Sequence, residues 1–288
     1  MKSRSRTTAK WIAGAIVAAS FSTLAMAQIS GTKHNLGSTS TAGNNQTSST
    51  GEICVFCHRP HAADVSTAGV PLWNKRLNTG SATAFTTYSS STMNAIGAND
   101  GLAGATTIGS VSLACLSCHD GTQAMDNVLN APGSGGYSST GGGTAGLGWT
   151  WSGSRVDTDG FMTNAATTLA MLGRDLSNDH PIGIQYCGGG PRVGSTGTAC
   201  GDADFHAPAN GTIGGATAFW VNTSGGTANR EKTDMILYNR AFDANGSLPA
   251  GTYPSVECAS CHDPHSSNTT FLRISNTGSA VCLACHDK

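Results

Sequence analysis

One continuous apolar run interrupts an otherwise polar chain. It extends from Trp11 to Ala19, behind Lys2, Arg4, Arg6 and Lys10 and ahead of Ala25-Met26-Ala27. A basic start, a short apolar stretch and a small-x-small end predict a secretion signal over residues 1–27, cleaved before Gln28. The run is too short to span a bilayer, and no later segment is long and apolar enough to do so. No cysteine follows the cleavage point to take a lipid. Residues 28–288 are expected to form one exported domain, located outside the cell or at its surface, with the periplasm as the alternative.

Regular patterning is sparse elsewhere. Ala216–Asn222 and Thr233–Asn239 read as strands that pair in a hairpin. Phe161–Leu172 predicts a short helix, and short helices are expected around the cysteine motifs below. Residues 130–155 are dominated by Gly, Ser and Thr and end in Trp149 and Trp151, which predicts irregular surface chain. The predicted fold class is therefore mostly irregular coil with few short helices and a small β-hairpin.

Composition sharpens the picture. The chain holds 38 Gly and 8 Phe in 288 residues, a poor inventory for an ordinary hydrophobic core. Such a chain either stays partly disordered or packs around something other than its own side chains. Removing residues 1–27 leaves 12 basic against 17 acidic residues, a net charge of −5. No basic patch is present to bind nucleic acid.

Eight of the ten cysteines fall into four copies of one pattern. The copies are Cys54-Val55-Phe56-Cys57-His58, Cys115-Leu116-Ser117-Cys118-His119, Cys258-Ala259-Ser260-Cys261-His262 and Cys282-Leu283-Ala284-Cys285-His286. Cys-x-x-Cys-His is the attachment signature of c-type haem. Two thiols one short turn apart can each add to one vinyl group on a haem edge. The adjacent histidine is then held beneath the iron as proximal ligand. Zinc also binds Cys-x-x-Cys pairs, and exported chains form disulfides. Neither explains a histidine after the second cysteine in four motifs out of four. The implied cofactor is four haem c, with His58, His119, His262 and His286 proximal.

The second axial ligand separates electron transfer from catalysis at an open iron. Five histidines remain: His34, His61, His180, His206 and His265. His61 and His265 stand in matched segments, His58-Arg59-Pro60-His61 and His262-Asp263-Pro264-His265, the one clear internal repeat. Each proline stops a helix and bends the chain. A histidine three residues after a proximal ligand cannot easily reach the other face of the same haem, so it is assigned to a neighbouring one. Three residues span at most about 11 Å, which brings the two irons close. His180, in Asn178-Asp179-His180-Pro181, and His34, near the processed N-terminus, complete the expected distal set. His34 could instead serve a neighbouring subunit. His206 is the spare. Met93, Met125, Met162, Met171 and Met235 stand in no repeated context and read as packing residues. Cys187 and Cys200 are left over and are expected to close a disulfide loop.

These motifs resemble those of the exported multihaem cytochromes of metal-respiring bacteria, in particular OmcE-type tetrahaem cytochromes, subunits of extracellular conducting filaments. The resemblance rests on His34-Asn35-Leu36, Glu52 through His61, Pro71-Leu72-Trp73-Asn74, Cys115 through Gly121, Asp179-His180-Pro181, Cys258 through His265 and Cys282 through His286. It implies bis-histidine haems, mostly coil structure and head-to-tail stacking of subunits, a heterologous contact that does not close. The expected partners are other copies of this chain, redox proteins or extracellular metal oxides. The rival function is a multihaem reductase, which needs an open haem; the surplus of histidines argues against one.

Overall fold

The computed structural model describes residues 28–41, 45–61, 63, 69–77, 85–94, 108–133, 136–138, 146–163, 168–197, 199–225, 229–244 and 248–287. The expected secretion signal lies outside them. Among the described residues no helix is long and apolar enough to cross a membrane.

Most of the described chain is irregular. Three two-residue pairings tie distant loops together. Strand β1 (Gln46–Thr47) runs antiparallel to β3 (Trp151–Ser152), and β2 (Thr86–Thr87) runs parallel to β4 (Asp175–Leu176). The third, β5 (Ile184–Gln185), joins the edge of the principal sheet.

That sheet is larger than the expected hairpin. It has five strands in the order β5-β9-β8-β7-β6, with β6 Ala209–Ile213, β7 Ala216–Val221, β8 Met235–Phe242 and β9 Gly251–Val256. The two strand-like runs do pair, Phe219 with Leu237 and Val221 with Met235. They form the middle of an antiparallel meander whose neighbours carry weaker patterns. β6 reads Ala-Asn-Gly-Thr-Ile, and β9 contains Pro254. Phe219, Val221, Met235, Leu237 and Val256 bury one face against Tyr186 and the Cys187–Cys200 disulfide. Burying a side chain such as Phe219 contributes about 2 kcal/mol, so this face is the main source of apolar stabilisation in the C-terminal half.

The longest helix, α1 (Ser110–His119), carries the second cysteine motif. Its Val111, Leu113, Ala114 and Leu116 are buried, as are Ser112 and Ser117. Ser117 Oγ donates to Ala114 O, so this small polar residue is satisfied inside the helix. Gly121, with φ +73°, ends it. A Cβ there would run into the Met171 side chain. Two single-turn helices, α2 (Cys258–Cys261) and α3 (Ala280–Leu283), carry the third and fourth motifs.

The helix expected over Phe161–Leu172 is not seen in its described residues. Met162 pairs with Val156 in an isolated antiparallel bridge, and residues 168–171 form a turn closed by Met171 N–H on Thr168 O. Residues 164–167 lie outside the described set. Among residues 130–155 the described part is irregular apart from β3 and a bridge between Asn130 and Tyr137, in keeping with its composition.

The apolar interior is divided. Trp73, Leu77, Phe85, Ile108, Leu113, Leu116 and Leu176 form one cluster, with Cys57 packed against it. Val55, Phe56, Met125, Trp151 and Val156 form a second, which Cys57 and Cys118 join. The sheet cluster takes in Cys261 and Cys285. Each of these three clusters thus takes in a cysteine of at least one motif.

Candidate functional site

The first and third motifs share a local architecture that the sequence repeat only partly reveals. In each, a return segment folds back antiparallel onto the motif, bridging His58 to Trp73 and His262 to Leu272. Arg59 N–H donates to Leu72 O, and Asp263 N–H to Phe271 O. Asn74 N–H donates to Cys57 O, and Arg273 N–H to Cys261 O. Both return segments pass through the left-handed region at non-glycine residues, Leu72 (φ 54°) in one and Thr270 and Phe271 (φ 53° and 59°) in the other. Such positions cost about 1–3 kcal/mol each and persist where the surroundings hold them. Here they aim a carbonyl at the histidine. His58 Nδ1 lies 2.7 Å from Pro71 O, and His262 Nδ1 lies 2.8 Å from Thr270 O.

The second motif achieves the same end differently. His119, at the last turn of α1, places Nδ1 2.7 Å from Ala170 O. A carbonyl only accepts, so in all three rings Nδ1 carries the hydrogen and Nε2 is left with a free lone pair. This is the tautomer in which imidazole binds a metal, with its outward nitrogen tied down. Burial lowers the pKa of His58 and His119, which keeps both rings neutral.

The histidines pair across the chain. His34 and His119 have ring centroids 6.2 Å apart. His58 and His265 are also 6.2 Å apart, and His180 and His286 are 6.5 Å apart. Metal–nitrogen bonds of about 2.0 Å on opposite sides of one ion put two imidazole centroids about 6 Å apart. Three of the four expected distal residues, His34, His180 and His265, therefore stand at bis-imidazole spacing from a proximal residue. His34 is held in place by Phe271, whose ring stacks on it at 4.1 Å, and by Pro264 O, 3.5 Å from its Nδ1. Burial, with His119 nearby, pushes the His34 pKa down to about 4.

His61 and His262 are not brought together, and among the described residues neither is paired with another histidine ring at this spacing, although His262 is near enough to His34 and His119 to lower their pKa. His61 is exposed at the rim of a cleft of about 460 Å³ lined by Cys54, His58, Arg59, Asn130 and Pro132. His206 donates its backbone N–H to Cys285 O.

Burial pushes the Cys57 and Cys285 thiols up to about 12 and Cys261 up to about 11, whereas contact with Cys115 holds Cys258 down. Cys57 and Cys118 border one apolar cluster, Cys261 and Cys285 share the sheet cluster, and the Cys115 and Cys258 thiols are near enough to shift each other's ionisation. Ser112 reinforces this last approach: its hydroxyl donates to the Glu257 carboxylate and accepts from Cys258 N–H. Glu257 also takes Arg240 at 3.0 Å. Cys187 and Cys200 form the expected disulfide.

Sequence reasoning did not find Asp263, Phe271 or the three carbonyls. Asp263 carried a signal, as an acid two residues before a repeated histidine. The carbonyls carried none, since any residue supplies one.

The family model of the doubled CXXCH motif matches residues 253–288, the third and fourth motifs. No curated protein matches the chain. A doubled motif on these sulfurs and imidazoles marks covalently bound c-type haem, and with it electron transfer, as the chemistry of this chain.

Proposed function

We propose that this chain conducts electrons through four c-type haems and that it does so as the subunit of an extracellular head-to-tail polymer. Haems bound at the four motifs would supply one-electron iron couples. The protein's part is to hold each iron between two imidazoles, to fix the imidazoles by their outer nitrogens and to exclude water with the small apolar clusters. Cys54, Cys57, Cys115, Cys118, Cys258, Cys261, Cys282 and Cys285 are the covalent anchors. His58, His119, His262 and His286 are proximal, and His265, His34 and His180 stand opposite the first, second and fourth of these. Residues 28–288 act as one exported unit, with no catalytic residue.

The observation that carries the polymer reading is the odd pair, His262 without an opposite imidazole and His61 exposed at the chain's other end. The reciprocal solution is His61 of one subunit serving His262 of the next. A heterologous contact of that kind repeats without closing.

The same observation favours a second reading, a reductase whose open site is the iron above His262. One comparison separates them. If the first reading holds, secreted material viewed by electron microscopy is filamentous and all its ferric haem is low-spin. His61→Ala then yields dispersed subunits with one high-spin haem. Wild-type protein that is monomeric with one high-spin, ligand-binding haem would establish the reductase instead.

A further inference from the structure

The paired segments differ in one charge. Where the third motif has Asp263, the first has Arg59. Asp263 is 8% exposed. Its Oδ1 lies 3.2 Å from His265 Nδ1 and accepts the His265 backbone N–H at 2.9 Å. Its backbone is fixed on both sides, N–H on Phe271 O and O accepting from Ser266 N–H. The other charge facing it is Lys232, whose Nζ is 3.8 Å from Oδ2 on a side chain 71% exposed to water. The ring nitrogens of His34, His58, His119, His180 and His262 face neutral backbone carbonyls.

We propose that Asp263 is a positioning residue that lowers the reduction potential of one haem, the haem at Cys54 and Cys57. The inference rests on His265 being that haem's distal ligand. A carboxylate accepting from Nδ1 draws the hydrogen outward and enriches Nε2 in electron density. A metal-binding imidazole with such a partner is a more basic ligand, and a more basic axial ligand favours ferric over ferrous iron. The neutral carbonyls behind those five rings do this less. Lys232 opposes the effect weakly, because its charge is largely solvated. The haem at Cys54 and Cys57 is thereby set apart from those at the second and third motifs, and it lies beside the cleft that His61 lines.

The test is a spectroelectrochemical titration of holoprotein. Asp263→Asn keeps an oxygen for the His265 backbone N–H and removes the charge. One reductive step should move to higher potential while the others stay, and the low-spin g-values of that haem should change. His265→Met should raise the same step, which assigns it. Lys232→Ala, on the surface, should move that step the other way, and it serves if Asp263→Asn does not mature. Fully low-spin holoprotein whose steps are unmoved in the variants at 263 and 232 would overturn the proposal. So would a high-spin haem in Asp263→Asn, since the residue would then only be keeping the ligand in place. A His265→Ala variant with every haem still low-spin would instead remove the ligand assignment beneath it.

Discussion

The His58 and His265 imidazoles, from opposite ends of the sequence, lie with centroids 6.2 Å apart and planes 13° apart. The first residue belongs to an attachment motif and the second follows another, so their meeting locks the N-terminal part of the fold onto the C-terminal part. Removing a distal ligand should leave one open iron. His265→Ala, His34→Ala and His180→Ala are each expected to convert one haem to high spin and to bind one equivalent of carbon monoxide when reduced. Electron paramagnetic resonance and ligand titration check this. A variant with unchanged spin state would show that its histidine is not a ligand.

Lys75 is 1% exposed, and its Nζ donates to the carbonyls of Ala124, Met125 and Asn127 at 3.0, 2.9 and 3.2 Å. Those three carbonyls cap the loop that follows the second motif. Lys75→Met fills the volume but leaves them without this donor. The expected loss is about 3 kcal/mol, read by chemical denaturation of holoprotein. Haem stoichiometry should not change, because no attachment residue is touched.

The Cys187–Cys200 disulfide closes a loop with a sequence separation of 13 beside the sheet cluster. Replacing both cysteines by alanine should cost about 3 kcal/mol, largely through the freedom regained by the unfolded chain. Thermal melts with and without reductant check it: reductant should bring the wild-type melting temperature down to that of the variant and leave the variant's unmoved.

Glu257 supplies a pH dependence. Burial raises its pKa above 4.5 against the opposing pull of Arg240 and Ser112. In the unfolded chain the carboxyl ionises near its ordinary value, and in the folded protein it ionises later. Between the two values the folded state holds more protons, so unfolding releases one and rising pH favours it. The stability tied to this group is complete below about 4.5 and declines as pH climbs through the folded value. Denaturation midpoints taken upward from pH 4 should show this decline in the wild type. They should show it flattened in Glu257→Gln, and an identical slope in both would rule it out.

The cysteine motifs and their histidines were plain in the sequence because covalent chemistry needs fixed neighbours, a spacing that survives in one dimension. The hairpin partners Phe219 and Leu237 were legible for a related reason, since alternation records which face is buried. The flanking strands were not, because Gly211 and Pro254 carry little strand signal and are held by ladder pairing with better-patterned neighbours. The helix expected over Phe161–Leu172 is missing from its described residues, where Met162 bridges to Val156 and Met171 closes a turn on Thr168.

Taken alone, then, the sequence pointed to the chemistry: four Cys-x-x-Cys-His motifs, nine histidines against the eight axial positions that four haems would offer, and one pair of cysteines to spare. Tertiary structure decided the pairing. Which imidazole stands opposite which depends on chain return over long separations, as when Phe271 and Pro264 carry His34 to His119. It also decided which carbonyl or carboxylate backs the rings of His34, His58, His119, His180, His262 and His265, and it left His61 and His262 apart. A local pattern cannot encode such contacts, because each is fixed by the packing of segments that share no neighbourhood along the chain.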